Sequence, residues 1–280
     1  MKNVLKLYKF GVGVGVSAIS SGVSLMPRVF EMIWSPMNYW RCIETPLILN
    51  NLHIDEGDKI LDSGSPKLLS LYIGKVLGNP IVASDVNPYF KEYCSNFAKV
   101  LKITKNYTTR IIDACSISDS ENEYDKIYSL SVIEHIPSDG DVRAMKEYSR
   151  VLKNNGLLLL TLPYSHTYKE EYRKPKKFYY SNNKGLQKNQ GKVFYQRVYD
   201  EKSLNERILK PSNLEIIKKE YVGERLIFRN RLLSHILGPL NILFSLVNHI
   251  GPVDNANNLK NPGIVFLVLK KTSDTVTLSQ

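Results

Sequence analysis

Lys59-Ile60-Leu61-Asp62-Ser63-Gly64-Ser65-Pro66-Lys67 decides how this 280-residue chain is read. The apolar run at 59–61 predicts a short strand and Asp62 to Pro66 a turn, after which Leu68, Leu69, Tyr72, Ile73, Val76 and Leu77 recur at helical spacing. The unit is strand, loop, helix. Ile81–Ser84 predicts the next strand, ending at Asp85, 21 residues after Gly64, where a carboxylate can accept hydrogen bonds from both hydroxyls of a ribose. The expected ligand is a nucleoside.

The loop narrows which one. A diphosphate needs glycines for close backbone approach and free N–H groups, whereas Ser65, Pro66 and Lys67 fill the later positions and Pro66 has no N–H. Asp62 would repel a diphosphate and attract an α-ammonium group, so an amino-acid nucleoside such as S-adenosylmethionine fits better than NAD. Taken singly, Asp62 reads as a turn residue, Asp85 as a cap before Asn87-Pro88, and Asp113 as an ordinary strand-end acid. Their joint placement at the carboxyl ends of successive strands, the ligand-binding edge of such a sheet, points to function.

Five blocks stand in order: Ile60 to Ser65, Val82 to Asn87, Ile111 to Ala114, Tyr124 to Ile136 and Arg150 to Pro163. In this order they resemble the class I S-adenosylmethionine-dependent methyltransferases of the type 11 kind, over roughly residues 40–225 with a last strand at 264–270. The resemblance implies an α/β, Rossmann-like methyltransferase sheet, mostly parallel with an antiparallel last strand, and helices on both faces. It implies S-adenosylmethionine as cofactor, with Asp62, Ser63, Gly64 and Ser65 lining its methionine end and Asp85 holding its ribose. Val86 and Asn87 would flank the adenine, Asp113 and Ala114 would meet its amino group, and Ser129 and Ser131 would lie beneath the sulfonium. One departure stands out: the family's first block usually carries two or three glycines, and only Gly64 is kept here.

Methyl transfer is an in-line displacement, so side-chain chemistry is needed chiefly to remove a proton from a hydroxyl acceptor. His135 and His166, which follow the fourth and fifth strands, are the candidate bases. Some quinone-pathway relatives carry Glu-x-x-Glu-His at this place to bind a divalent cation. Here the first position is Ser131, so a hard-cation site loses a ligand and no metal is expected. Two other readings stay open: a non-catalytic relative that binds the nucleoside as a partner subunit, and an aminopropyl transferase, against which a basic lid argues.

A hydrophobic content of 43% in this length can bury one sizeable core. Cys42, Cys94 and Cys115 stand in no metal-ligand spacing and form no disulfide framework, so a cytoplasmic location is the default. The net charge of +11 attracts polyanions, but no RNA-binding module or zinc finger is present and nucleic acid is not the expected partner.

The expected organisation is an N-terminal segment, 1–38, and a methyltransferase domain, 39–280, with a basic, Tyr-rich insertion at 164–199 and an apolar insertion at 227–262. Lys2, Lys6 and Lys9 precede an apolar stretch to Met26, whose glycines and valines make it a weak helix; a membrane-leaning segment and a flap packed on the domain are equal expectations. Arg41, Glu44 and Pro46 lead into Leu47–Leu52, a helix expected to cover the cofactor edge. The insertion at 164–199 is read as a substrate lid, its tyrosines and cations suited to a sugar, phosphate or anionic headgroup, against the alternative of a solvated, mobile loop. In the second insertion, Gly238-Pro239 interrupts the apolar run Leu232–Ile250, which favours an interfacial pair of helices over a span, against the equal alternative of helices buried on the domain or on a dimer partner. The expected partners are a small-molecule, glycan or lipid-linked substrate and an anionic membrane surface.

Overall fold

The computed structural model describes residues 2–22, 26–64, 68–174, 188–189, 191–226 and 238–272. At its centre, strands β1 (Ile60–Ser63), β2 (Ile81–Asp85), β3 (Tyr107–Ile111), β4 (Tyr124–Leu130) and β5 (Leu152–Pro163) run parallel in the order β5-β4-β1-β2-β3. Every residue of β1 is buried, as befits a parallel strand covered on both faces.

Beyond β5 the sheet turns antiparallel. A three-stranded sheet of β6 (Lys169–Arg173), β7 (Lys188–Asn189) and β8 (Lys192–Val198) stands apart from the main one. In the main sheet, β11 (Pro262–Lys270) pairs antiparallel with both β5 and β9 (Glu215–Glu224), and β10 (His249–Val253) adds an edge strand on β9. The expected strand at 264–270 is thus the antiparallel neighbour of β5, from Ile264↔Pro163 to Lys270↔Leu157.

Each sheet face carries its own apolar core. One lies under helices α1 (Lys2–Ser20), α2 (Met26–Trp34), α3 (Tyr39–Asn51), α4 (Leu68–Tyr72) and α5 (Pro88–Val100); the other lies under α6 (Gly140–Val151) and the short helical turns at 201–212. Asn38 caps α3, its side chain accepting from the Arg41 N–H at 3.0 Å, and Asn87 caps α5 on the Tyr89 N–H at 3.1 Å, with Pro88 at the first helical position.

Helix α1 packs against the other helices of one sheet face. Its glycines, poor for an isolated helix, here permit close approach: a Cβ on Gly15 would stand 2.6 Å from the Ile33 side chain of α2. Val4, Leu7, Val14 and Ala18 join the core beside α4 and α5 residues, so tertiary packing overrides helix propensity.

Candidate active site

The carboxyl ends of β1, β2 and β4 meet at one edge. Gly64 closes β1 with φ +72°, and its N–H bonds the Ser84 carbonyl at 2.9 Å, which holds the first turn against the tip of β2. Asp62 is fully buried, its carboxylate on the side of Tyr128, whose phenol is held well above its ordinary pKa by burial and by that neighbouring charge. Ser63 faces the opposite side, where its hydroxyl meets the Tyr148 hydroxyl of α6 at 2.7 Å. Ser129 is buried on the same α6 side, beside Tyr148.

Asp85 ends β2 half-buried, one oxygen accepting the Asn87 N–H at 2.8 Å, with Val86 exposed beside it. Asp113 lies just past β3, exposed, accepting the Cys115 N–H at 2.9 Å, and Ala114 is buried next to it. Local turn bonds therefore engage both acids. Ser65, Pro66 and Lys67 fall outside the described residues.

Past β4 the backbone tightens. Ser131 takes a left-handed conformation, φ +49°, rare for a residue with a side chain, and its N–H bonds the Thr161 carbonyl of β5 at 2.9 Å. Its hydroxyl donates to Glu44 of α3, whose same oxygen also accepts from the Thr161 hydroxyl at 3.0 Å. Arg41 completes the clamp, donating to the other Glu44 oxygen and to the Leu130 carbonyl, both at 2.8 Å. Helix α3 lies across this edge, and it begins at Tyr39, ahead of the expected Leu47–Leu52, because Asn38 caps it there and Pro46 is accommodated inside it. The contribution of Thr161 has no sequence signal, since it lies 117 residues from Glu44.

Glu134 is the second buried acid here. Neither carboxyl oxygen has a hydrogen-bond partner among the described residues, and burial, reinforced by the nearby Glu44 charge, raises its pKa well above the ordinary range. The His135 Nε2 lies 3.6 Å from one of its oxygens, while Nδ1 meets the Tyr195 carbonyl of β8 at 2.7 Å and the ring packs edge-on to Tyr195. His166 meets a different partner, its Nε2 3.0 Å from the Leu259 carbonyl. Among the described residues no cluster of three His, Cys, Asp or Glu side chains could hold a metal ion.

The β6–β8 sheet is anchored to α6 by a buried charge cluster. Asp141 is fully buried and accepts from Arg207 at 2.6 and 2.8 Å and from the Tyr199 hydroxyl at 2.8 Å; Arg197, equally buried, bonds the carbonyls of Ile136 and Ser138. Tyr199 and Arg197 of the expected lid are thus consumed in docking it. Residues 175–187 and 190 of that insertion, and 227–237 of the apolar one, lie outside the described residues. A surface depression lined by Asp55, Gly57 and Asn79 belongs to the loops that precede β1 and β2, at the sheet's other edge.

Residues 61–160 match the family described as Methyltransferase domain. Among solved structures, a SAM-dependent methyltransferase of Methanosarcina mazei is similar at 19% identity over 81% of this chain and 98% of that one, with a TM-score of 0.52. The [4+2]-cyclase SpnF is similar at 19% identity over 81% and 79%, TM-score 0.55, and coclaurine N-methyltransferase, bound to N-methylheliamine and SAH, at 14% over 81% and 69%, TM-score 0.54. No curated protein matches the sequence. Residues 61–160 thus match a methyltransferase-domain family, and the sheet around them has the Rossmann-like fold of these structural neighbours. S-adenosylmethionine is the cofactor of this family.

Proposed function

We propose that this chain transfers a methyl group from S-adenosylmethionine to a hydroxyl of a small, glycan or lipid-linked acceptor that enters between the sheet edge and the β6–β8 sheet. The observation that carries the reading is the tip of β2: an acid, Asp85, beside the left-handed Gly64, with the apolar side chain of Val86 exposed next to it. That combination suits ribose hydroxyls and a purine ring.

The remaining residues fit the same ligand. Asp62, Ser63, Gly64 and Ser65 would line its methionine end, Asp85 its ribose, Val86, Asn87, Asp113 and Ala114 its adenine, and Ser129 and Ser131 the floor of the site. When bound, the cofactor supplies an electrophilic methyl carbon. The chain's own groups then align the acceptor, exclude water and take its proton. His135 is assigned that proton: its Nδ1 faces a carbonyl, which can only accept, so Nδ1 carries the hydrogen and Nε2 is the basic nitrogen. His166 is the second candidate by the same logic, with Nδ1 basic.

One contact favours a second reading, a nucleoside-binding partner subunit that transfers nothing. Val132 packs on Gly64, 2.3 Å from where a Cβ would stand, at the methionine end of the proposed site.

Transfer of labelled methyl groups from the cofactor into cell-extract fractions separates them. His135→Ala should lower kcat about 100-fold or more while leaving cofactor affinity unchanged. Absence of transfer by the natural chain in every fraction, with cofactor still bound, would leave the partner-subunit reading.

A further inference from the structure

Three helices expose apolar faces that the core does not use. On α1, Leu5, Val16 and Ile19 are exposed on the face that also carries Lys2 and Lys9. On α2, Phe30 and Trp34 stand one turn apart and are exposed. The helix Leu240–Asn248 exposes Leu240, Leu243 and Val247 along one face while burying Asn241, Ile242, Ser245 and Asn248.

These helices are neighbours. Helix α1 packs on α2 through Gly15, and α2 meets the helix Leu240–Asn248 where Trp34 rests against Gly238 and Asn241 donates to the Ser35 hydroxyl at 3.3 Å. Arg225 and Leu226, both exposed, extend the surface, tied to Asn248 by their N–H groups at 2.8 and 2.9 Å.

Charge is distributed to match. Lys2, Lys6 and Lys9 of α1, and Arg225 beside the helix Leu240–Asn248, are exposed cations among these apolar side chains. Among the described residues, no helix is long and apolar enough to cross a membrane. Exposed aromatic and aliphatic side chains with cations beside them form the pattern of a surface that lies in the headgroup region.

We propose that the outer faces of α1, α2 and the helix Leu240–Asn248 dock this chain on an anionic lipid bilayer, lying on it without crossing. Helix α3 connects that surface to the candidate site. Its Tyr39 packs on Phe244, with ring centroids 5.4 Å apart, and accepts from Asn248 at 2.9 Å, while Arg41 and Glu44 of the same helix clamp the tips of β4 and β5.

The test is co-sedimentation of the full chain, without cofactor, with vesicles of phosphatidylcholine containing about 30% phosphatidylglycerol. The natural chain should pellet with these vesicles, less with phosphatidylcholine alone, and less at high salt. Leu243→Asp with Val247→Asp should lower the partition coefficient about tenfold or more, and Lys2→Glu with Lys6→Glu and Lys9→Glu should do so independently at the other end of the surface. Circular dichroism and thermal melting check that both variants are folded. Cofactor affinity, measured separately, is expected to be unchanged, so failure of the methyltransferase reading leaves this result standing. The proposal is overturned if the natural chain stays in the supernatant, if both folded variants pellet as it does, or if Leu243→Asp with Val247→Asp converts a dimer to a monomer without altering vesicle binding.

Discussion

Val132 packs directly on the Cα of Gly64: a methyl group built there would stand 2.3 Å from Val132 Cγ1, on a residue whose φ is +72°. The turn after β1 and the turn after β4 therefore touch through a position that tolerates no side chain. Gly64→Ala should lose about 2–4 kcal/mol of stability, from left-handed strain together with overpacking. Val132→Ala in the same chain should restore the overpacking part and leave the strain. A denaturant-unfolding cycle over the four chains reads this coupling. Additive losses would mean that the two turns do not meet.

The buried carboxyl of Glu134 gives a pH signature. Its folded pKa is raised above the unfolded one, so the stability that this group contributes is fully present below the ordinary carboxylate range and is lost as pH rises towards the folded value. Glu134→Gln has no proton to lose. The variant's stability relative to the natural chain should therefore improve as pH rises above about 4.5, by at most about 1.4 kcal/mol per pH unit. Denaturation midpoints of both chains between acid and mildly alkaline pH measure it; a difference that stays constant with pH would refute a buried neutral acid.

Asp141 is the anchor of the β6–β8 sheet. Asp141→Ala leaves Arg197 buried against Glu170 at 3.7 Å and strips Arg207 and Tyr199 of their shared acceptor. The expected cost is about 3–5 kcal/mol. Limited proteolysis should then cut first in 164–199, ahead of the central strands. Cleavage spread evenly through the variant would contradict anchoring by this residue.

Much of the parallel sheet was legible because its signals are local. An apolar run followed by a turn residue and a helical period marks β1, β2 and their helices, and the strand bounds agree within two residues: Ile60–Ser63 against the expected 59–61, and Ile81–Asp85 against 81–84 with Asp85 at its tip. The substrate-side detail was less legible. Glu44 and Thr161 meet only because α3 crosses the ends of β4 and β5, and nothing in either segment announces the other. Helix α1 reads weakly because its glycines cost propensity alone and become favourable only against Pro36, Ile33 and Val29. The Tyr-rich insertion reads as a loop, yet β6 and β8 pair from Lys169↔Val198 to Arg173↔Val193, partners some 20–29 residues apart in sequence.

The acids at the strand tips each have a local task as well, which is why sequence alone leaves them ambiguous. Asp85 and Asp113 both accept a backbone N–H two residues on, the behaviour of a turn residue, and that bond uses one carboxylate oxygen in each case. Binding a ribose is compatible with such a bond, since a carboxylate offers about four lone-pair sites.

Titration calorimetry with S-adenosylmethionine, on the natural chain and on Asp85→Ala, tests the central claim most directly. Two hydrogen bonds from ribose hydroxyls to a charged acceptor predict saturable binding by the natural chain and a loss of about 10- to 100-fold in the variant, with its melting temperature little changed. No heat from the natural chain, or equal affinity in the two, would contradict a nucleoside seated at the tip of β2.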